Sequence, residues 1–223
     1  MRKQPLVTGE YYHIYNRGVD KRDVFSNLKN LERFVLSMIE FNRVDSIMSL
    51  ANLQKTQKTQ IEVKPLSEPL VAIVAYCLNP NHFHLILKQL VDGGISDFMK
   101  KLQGGYTYYF NVCNNRSGSL FQGTFKSHLM NNENYFNKIL GYVNKNYKVH
   151  NIPKNKLDLI FAGDKEYENN NFKIISKKEG KRILNVFGGT KNFKKHCDEI
   201  VSIIRQERGK RSLLEEDSLP DRG

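Results

Sequence analysis

Two apolar segments separated by a tight turn constrain the fold of this chain more than any other feature. Residues 70–78 and 82–89 are rich in Val, Ile and Leu, and Asn79-Pro80-Asn81 between them is typical of a turn. The sequence therefore predicts a β-hairpin with two buried, antiparallel strands. Any fold that this chain adopts therefore has to include the hairpin in a β-sheet whose faces are covered by other elements.

Two histidines begin the second strand of this hairpin, with one phenylalanine between them. Residues two apart on a strand point to the same face, so His82 and His84 project together and Phe83 points the opposite way. Two neutral imidazoles on a rigid strand are good ligands for a divalent metal ion. A His-x-His pair taken alone is nevertheless more often a structural, hydrogen-bonded pair than a metal site.

The apolar periodicity along residues 1–150 predicts an α+β fold. The predicted order is β-α-β-β-α-β-α, which gives a central antiparallel β-sheet with helices packed on it, related to the ferredoxin-like and RRM-like folds. Besides the hairpin, the predicted elements are a strand at 9–17, a strand within 120–130, and helices at about 31–42, 96–113 and 133–148. The candidate N-caps are Asn27 or Asn30, Ser96, and Asn131 or Asn132, and a loop is predicted at 52–69.

The pattern changes after residue 150. We expect loops over 151–172 and helices over 176–187 and 190–208, separated by Gly188-Gly189. The sequence therefore divides into a domain at 1–150 and a mostly helical, basic C-terminal extension at 151–223.

The net charge and the cysteine content indicate the kind of partner and the cellular compartment to expect. The formal net charge is +12, which favours a polyanionic partner such as nucleic acid. The 3 cysteines are far apart and fit neither a disulfide framework nor a zinc cluster, as in a reducing cytoplasm. No apolar run approaches the roughly 18 residues of a membrane helix. We expect a soluble, cytoplasmic protein.

Tyr142 and Asn146 are four residues apart on the last predicted helix, which places them on one face. The amide oxygen of Asn146 can complete a site for Mg²⁺ or Mn²⁺ beside His82 and His84, because these ions accept oxygen ligands. Tyr142 would then be the nucleophile that attacks a phosphate beside the metal. The simpler interpretations are an amphipathic surface tyrosine and a residue at a helix end.

Three other tyrosines compete for the role of nucleophile. Tyr106 and Tyr109 fall on the apolar face of the helix at 96–113, so we expect them in the core. Tyr108 is on the more exposed face, but Val112, not an amide, follows it by four residues. Tyr142 is therefore the preferred nucleophile.

These residues resemble the HUH single-tyrosine transposases, which include the small insertion-sequence transposases and the REP-associated tyrosine transposases. The likeness rests on His82-Phe83-His84 after Asn79-Pro80-Asn81, and on Tyr142 followed by the amide of Asn146. Residues 12–18 and 120–126 support it, and it covers about residues 8–150. The REP-associated branch is the closer match, although Tyr147 stands where those proteins commonly have a proline.

The resemblance implies metal-dependent cleavage of single-stranded DNA beside a hairpin, through a covalent 5′-phosphotyrosine intermediate and a free 3′-hydroxyl. It also implies a nucleoid-associated protein that is either a monomer or a homodimer, since some relatives exchange the tyrosine helix between subunits. The expected DNA contacts are basic side chains in or near the lysine- and arginine-rich segment 94–150, namely Arg17, Arg116, Lys126, Lys138 and Lys145. Each of these side chains taken alone is more often simply solvated.

Two other functions remain open on the sequence. One is a non-catalytic protein that binds hairpin DNA, as a domesticated transposase would. The other is a metal-dependent hydrolase that activates water. The remaining histidines near the motifs are expected to be structural or surface residues, with His128 a candidate auxiliary ligand; they are His13, His128 and His150.

Overall fold

The computed structural model describes residues 5–45, 68–150 and 152–214 of the chain. The loop predicted at 52–69 lies outside these ranges except for its last two residues. Among the described residues, no helix combines the length and the apolar character that crossing a membrane requires.

One antiparallel sheet organises the described part of the chain, as the sequence predicted. Its strand order is β4-β1-β3-β2-β5. The hairpin of β2 and β3 lies at the centre, and Asn79 of β2 pairs with His82 of β3. The strands are β1 (Tyr11–Arg17), β2 (Val71–Asn79), β3 (His82–Gln89), β4 (Lys126–Leu129) and β5 (Phe161–Ala162).

Helices cover both faces of the sheet, which confirms the α+β class. They are α1 (Leu28–Glu40), α2 (Gly94–Cys113), α3 (Glu133–Asn144), α4 (Asp164–Glu168), α5 (Lys177–Val186) and α6 (Thr190–Leu214). The side chain of Asn27 accepts a hydrogen bond from the backbone of Asn30 and caps α1, which settles the choice between the two predicted caps. Asn132 caps α3 in the same way.

The layers follow from the alternation along β3. The Phe83 ring lies 5.5 Å from that of Phe34 on α1, and Phe34 lies 5.0 Å from Tyr106 on α2. Helices α1 and α2 therefore cover the Phe83 face. Helix α3 packs on β2 and β3 and covers the face of the two histidines. Because both faces are covered, β2 is buried along its whole length.

Three boundaries differ from the predicted ones. Helix α2 begins at Gly94 with Gly93 as its N-cap, so Ser96 lies inside the first turn. Gly93 has a φ of 69°, a conformation that suits glycine. The strand predicted within 120–130 is limited to β4, because the backbone turns at Gly123, where φ is 67°.

Helix α3 ends at Asn144, earlier than predicted. Lys145 leaves the helical conformation with φ −125° and ψ 28°, and a 3₁₀ turn follows at Asn146–Lys148. Asn146 therefore lies in a separate turn after the helix that carries Tyr142.

The C-terminal extension covers the outer edge of β2. Besides the β5 pairing, the carbonyl oxygens of Ile73 and Tyr76 accept hydrogen bonds from the backbone of Ser176 and Gly163. The predicted helices beyond residue 170 are confirmed as α5 and α6, whereas 151–172 also contains β5 and α4. A domain division at residue 150 stays a prediction, although residues on both sides of it share this sheet.

Candidate active site

His82 and His84 lie on one face of β3, as predicted. Their ring centroids are 5.3 Å apart and their planes are nearly perpendicular. The strand begins directly after the turn at Asn79-Pro80-Asn81, and this turn brings two amide side chains beside the histidines. The pair is therefore held at the end of a buried hairpin.

The amide of Asn81 determines the tautomer of His82. Its oxygen lies 2.6 Å from Nδ1 of His82, and because an amide oxygen can only accept, Nδ1 carries the proton. Nε2 of His82 therefore keeps its lone pair. This nitrogen lies 3.1 Å from Nδ2 of Asn79 and 3.2 Å from Oδ1 of Asn146. Asn81 thus acts as an orienting partner of the kind that metal-binding histidines have.

Asn146 reaches the histidine pair from the 3₁₀ turn. Its Oδ1 accepts a hydrogen bond of 2.7 Å from Nδ2 of Asn79, which holds the oxygen beside His82. Its Nδ2 is buried and makes no hydrogen bond among the described residues. The third ligand predicted from the sequence is therefore brought to His82, although by a turn and not by the helix itself.

His84 has a partner that the sequence did not reveal. Its Nδ1 lies 2.9 Å from Nε2 of His13 on the neighbouring strand β1, and the two rings are stacked. A proton on Nδ1 of His84, donated to His13, leaves Nε2 of His84 with a lone pair. His13, expected to be a structural histidine, thus orients one of the two predicted ligands.

Burial keeps four imidazoles at the site neutral, those of His13, His82, His84 and His150. It lowers the pKa of His82 to about 4 and the pKa of His84 well below its usual range. It also lowers the pKa values of His13 and His150 to about 3. A histidine has to be neutral to bind a metal ion, so these side chains are in the required state at neutral pH.

The donor set fits a divalent cation. Nε2 of His82 and Oδ1 of Asn146 both present lone pairs and cannot hydrogen-bond to each other across their 3.2 Å separation. A cation beside both atoms would stabilise this pair of acceptors, and imidazole together with an amide oxygen suits Mg²⁺ or Mn²⁺. Among the described residues no group of three or more His, Cys, Asp or Glu side chains could hold a metal ion; Asn146 is a ligand of another type.

Tyr142 lies at the same place in the same chain. Its ring stands edge-on to that of His84, with the centroids 5.4 Å apart, and it lies 6.3 Å from the ring of His13. The side chain is half-buried, in contrast to the more polar position expected from the helix pattern. Burial raises the pKa of its hydroxyl, and Arg208 and Asn146 offset only part of this rise.

The competing tyrosines belong to the other side of the sheet. Tyr106 is buried, and its hydroxyl donates a hydrogen bond of 2.5 Å to the carbonyl of Val24. Tyr109 packs under the guanidinium of Arg33, and Tyr108 is exposed. All three lie on α2, which covers the Phe83 face.

The five predicted DNA-contacting side chains lie in different surroundings. Lys126 and Lys138 are exposed on β4 and α3. Arg17 is half-buried at the end of β1, and Arg116 donates a hydrogen bond to the carbonyl of Ser119. Lys145 differs from the expected surface position, because its ammonium group is buried.

Lys145 forms an ion pair of 2.6 Å with Asp198 of α6. Since Lys145 is only 2% exposed, this pair joins the residue that follows α3 to α6 instead of presenting the charge to a phosphate. His128, the candidate auxiliary ligand, is stacked on Tyr15, and its Nε2 lies 3.2 Å from the hydroxyl of Tyr15.

Comparison with known proteins shows what the chain is similar to. Residues 54–146, which contain both histidines, Tyr142 and Asn146, match the family described as IS200-like transposases. No curated protein matches the chain. A solved structure of a REP-associated tyrosine transposase bound to a REP hairpin has the same fold, with a TM-score of 0.51 and 14% identity over 79% of this chain and 90% of that one. Over residues 54–146 the chain is therefore similar to IS200-like transposases, and its fold resembles that of the solved tyrosine transposase.

Proposed function

We propose that this protein is a metal-dependent DNA transposase that cleaves and rejoins single-stranded DNA beside a hairpin. Tyr142 is the nucleophile, and His82, His84 and Asn146 hold Mg²⁺ or Mn²⁺. The observation that carries the proposal is the convergence of these side chains on one face of the sheet within a single chain.

The proposed reaction is a transesterification at phosphorus. The phenolic oxygen of Tyr142 attacks the scissile phosphate and the bond from phosphorus to the 3′ oxygen breaks. The phenol loses its proton and the leaving 3′ oxygen gains one, so that a 5′-phosphotyrosine and a free 3′-hydroxyl result. Attack by a 3′-hydroxyl on the phosphotyrosine reverses the step and rejoins a strand.

The metal ion, when bound, would polarise the phosphate and stabilise the negative charge that develops on it. The residues of the chain prepare the site for this role. Asn81 and His13 fix the orientation of the two imidazoles, and Asn79 fixes the amide of Asn146. Partial burial of Tyr142 would limit the access of water to the phenol.

Two observations support DNA as the substrate. The chain carries a formal net charge of +12, and exposed lysines lie on β4 and α3 beside the site. The similar solved structure is a complex with a REP hairpin. We therefore propose a single-stranded DNA hairpin with an unpaired flank as the ligand, encountered in the cytoplasm at the nucleoid.

The decisive experiment is to incubate the protein with labelled hairpin DNA and Mn²⁺ and to separate the products on a denaturing gel. The wild type is expected to form a covalent protein–DNA adduct that Tyr142→Phe and His82→Ala abolish. Tyr108→Phe is the matched control, because this tyrosine is exposed on the other side of the sheet, and it is expected to retain the adduct.

The same gel distinguishes the two alternative functions. Cleavage that persists in Tyr142→Phe without an adduct would assign the chemistry to a metal-activated water. Tight binding of the hairpin by the wild type with no cleavage would identify a non-catalytic DNA-binding protein. Either result would contradict the proposed role of Tyr142.

A further inference from the structure

The turn that carries Asn146 makes few hydrogen bonds of its own. It is a 3₁₀ turn of three residues, Asn146–Lys148, and no side-chain hydrogen bond caps its start. Its closing bonds run from the backbone N–H of Lys148 to the carbonyl of Lys145 and from that of Val149 to the carbonyl of Asn146, both at 2.9 Å. Short 3₁₀ segments have poorer hydrogen-bond geometry than α-helices. The position of Asn146 therefore depends on contacts from outside the turn.

The C-terminal extension makes such contacts on both sides of Asn146. The hydroxyl of Tyr147, the next residue, donates a hydrogen bond of 2.8 Å to Oδ2 of Asp164 in α4. The remaining contacts join the neighbours of this pair to α6: the ion pair of Lys145 with Asp198, and the hydrogen bonds of 2.7 and 3.1 Å that Arg205 and Arg208 donate to the carbonyls of Lys148 and Val149. The turn is thus held from outside by the extension, while the Asn146 amide faces the histidine pair.

Asp164, the partner of Tyr147, is itself fixed to the central sheet. It is buried, and its Oδ1 accepts a hydrogen bond of 2.9 Å from the backbone N–H of Lys165. The N–H of Gly163, directly before it, donates one of 2.9 Å to the carbonyl of Tyr76 on β2. A Cβ at Gly163 would stand 3.3 Å from the ring of Tyr76, so α4 begins in close contact with the strand. Asp164 is therefore a rigid acceptor for the tyrosine hydroxyl.

We propose that Tyr147 is a positioning residue of the metal site, which holds Asn146 in place through its bond to Asp164. This inference rests on the proposed function. The contacts form a closed circuit, which leaves β2 with α4, passes through Asp164, Tyr147 and Asn146, and returns to β2 at Asn79. Because both ends of the circuit lie on one strand, the bond from Tyr147 to Asp164 limits how far Oδ1 of Asn146 can move from Nε2 of His82. The extension thereby sets the metal affinity of the site.

The test measures the affinity of the full chain for Mn²⁺ by calorimetric titration without DNA. Tyr147→Phe removes one hydroxyl and is expected to weaken Mn²⁺ binding about tenfold, as for the loss of other groups that orient metal ligands. Tyr76→Phe is the matched control, because its hydroxyl donates a hydrogen bond of the same length, 2.8 Å, to Glu166 of the same helix, but joins α4 to β2 and not to the turn. It is expected to lower Tm in EDTA and to keep the wild-type affinity for Mn²⁺.

A double-mutant cycle shows whether the bond to Asp164 carries the effect. Asp164→Ala removes the acceptor and is expected to weaken Mn²⁺ binding in the wild-type background, but to cause little further loss in Tyr147→Phe, where the hydroxyl is already gone. Wild-type affinity in Tyr147→Phe, an equal loss in Tyr76→Phe, or additive losses in the double variant would each refute the inference.

The same titrations separate this inference from the proposed function. If the wild type bound no Mn²⁺, the metal site itself would be wrong and the inference would fail with it. If the wild type and Tyr147→Phe bound Mn²⁺ equally well, only the inference would fail. The covalent-adduct assay with the wild type reports independently on the DNA chemistry.

Discussion

Substitution of Asn79 is the most direct test of the hydrogen bonds that hold the site together. It is fully buried, and its one amide nitrogen serves both Oδ1 of Asn146, at 2.7 Å, and Nε2 of His82, at 3.1 Å. Asn79→Ala leaves two buried acceptors without a donor in the metal-free protein. A buried acceptor without a partner costs about 1–3 kcal/mol, and the two acceptors share one donor group, so we expect a loss of about 3 kcal/mol.

This loss can be measured as a change in thermal stability. For a chain of this size 1 kcal/mol corresponds to about 2–4 °C in Tm, so Asn79→Ala should unfold roughly 6–12 °C below the wild type in EDTA. Its affinity for Mn²⁺, followed by calorimetric titration, should fall about 10–100-fold, as for loss of other groups that orient metal ligands. Asn81→Ala is the graded comparison for Tm, because it removes a single bond to His82 from a less buried side chain.

Asn79→Asp should make the stability of the protein depend more strongly on the metal ion than Asn79→Ala does. A carboxylate replaces the donor with further acceptors, so the metal-free protein should be less stable than Asn79→Ala, and Mn²⁺ should restore more of the lost Tm. Wild-type Tm in EDTA together with wild-type Mn²⁺ affinity in Asn79→Ala would refute the account of these hydrogen bonds.

Three other predictions concern the assembly and packing of the chain. If Tyr142 acts on its own subunit's site, then mixing Tyr142→Phe with His82→Ala should restore no adduct formation, whereas helix exchange between subunits would restore it. Gly141→Ala should destabilise the protein by about 1–3 kcal/mol through overpacking against α6, while Gly104→Ala, whose Cβ meets nothing within 4 Å, should be neutral or stabilising in a denaturant titration. Burial opposes ionisation of Asp198, but its lysine partners outweigh this and lower its pKa, so its contribution to stability is present above its unfolded pKa of about 3.9 and is lost as pH falls below it. Asp198→Asn should therefore lower Tm at pH 7, and the difference from the wild type should shrink between about pH 4 and pH 2; a constant difference would contradict the assignment.

The sequence predicts those parts of the site that depend on local patterns. Alternation along β3 gave the shared face of His82 and His84, since a period of two fixes side-chain direction on any strand. The hairpin followed from the turn residues between two apolar runs. Asn146 was identified by its spacing from Tyr142, but the reason was incomplete, because the helix ends at Asn144 and a 3₁₀ turn brings the amide to His82.

The parts that depend on distant contacts could not be predicted. His13 meets His84 because β1 pairs with β3, and strand register across a long connection has no local signal. Lys145 was expected at the surface because nothing near it in sequence shows that Asp198 will bury and pair it. Arg208 reaches the carbonyl of Val149 only through the docking of α6, which the helix pattern of the extension does not encode.

The covered edge of β2 has a practical consequence for anyone who shortens this protein. β2 is a strand of 9 residues that is buried throughout, and residues after position 160 satisfy the carbonyls of Ile73, Val74 and Tyr76 along its outer edge. Removing them would leave a long, apolar, unpaired strand edge, which is a template for intermolecular β-pairing. A version ending near residue 150 is expected to aggregate, so an inactive truncation would report misassembly and not the loss of a catalytic group.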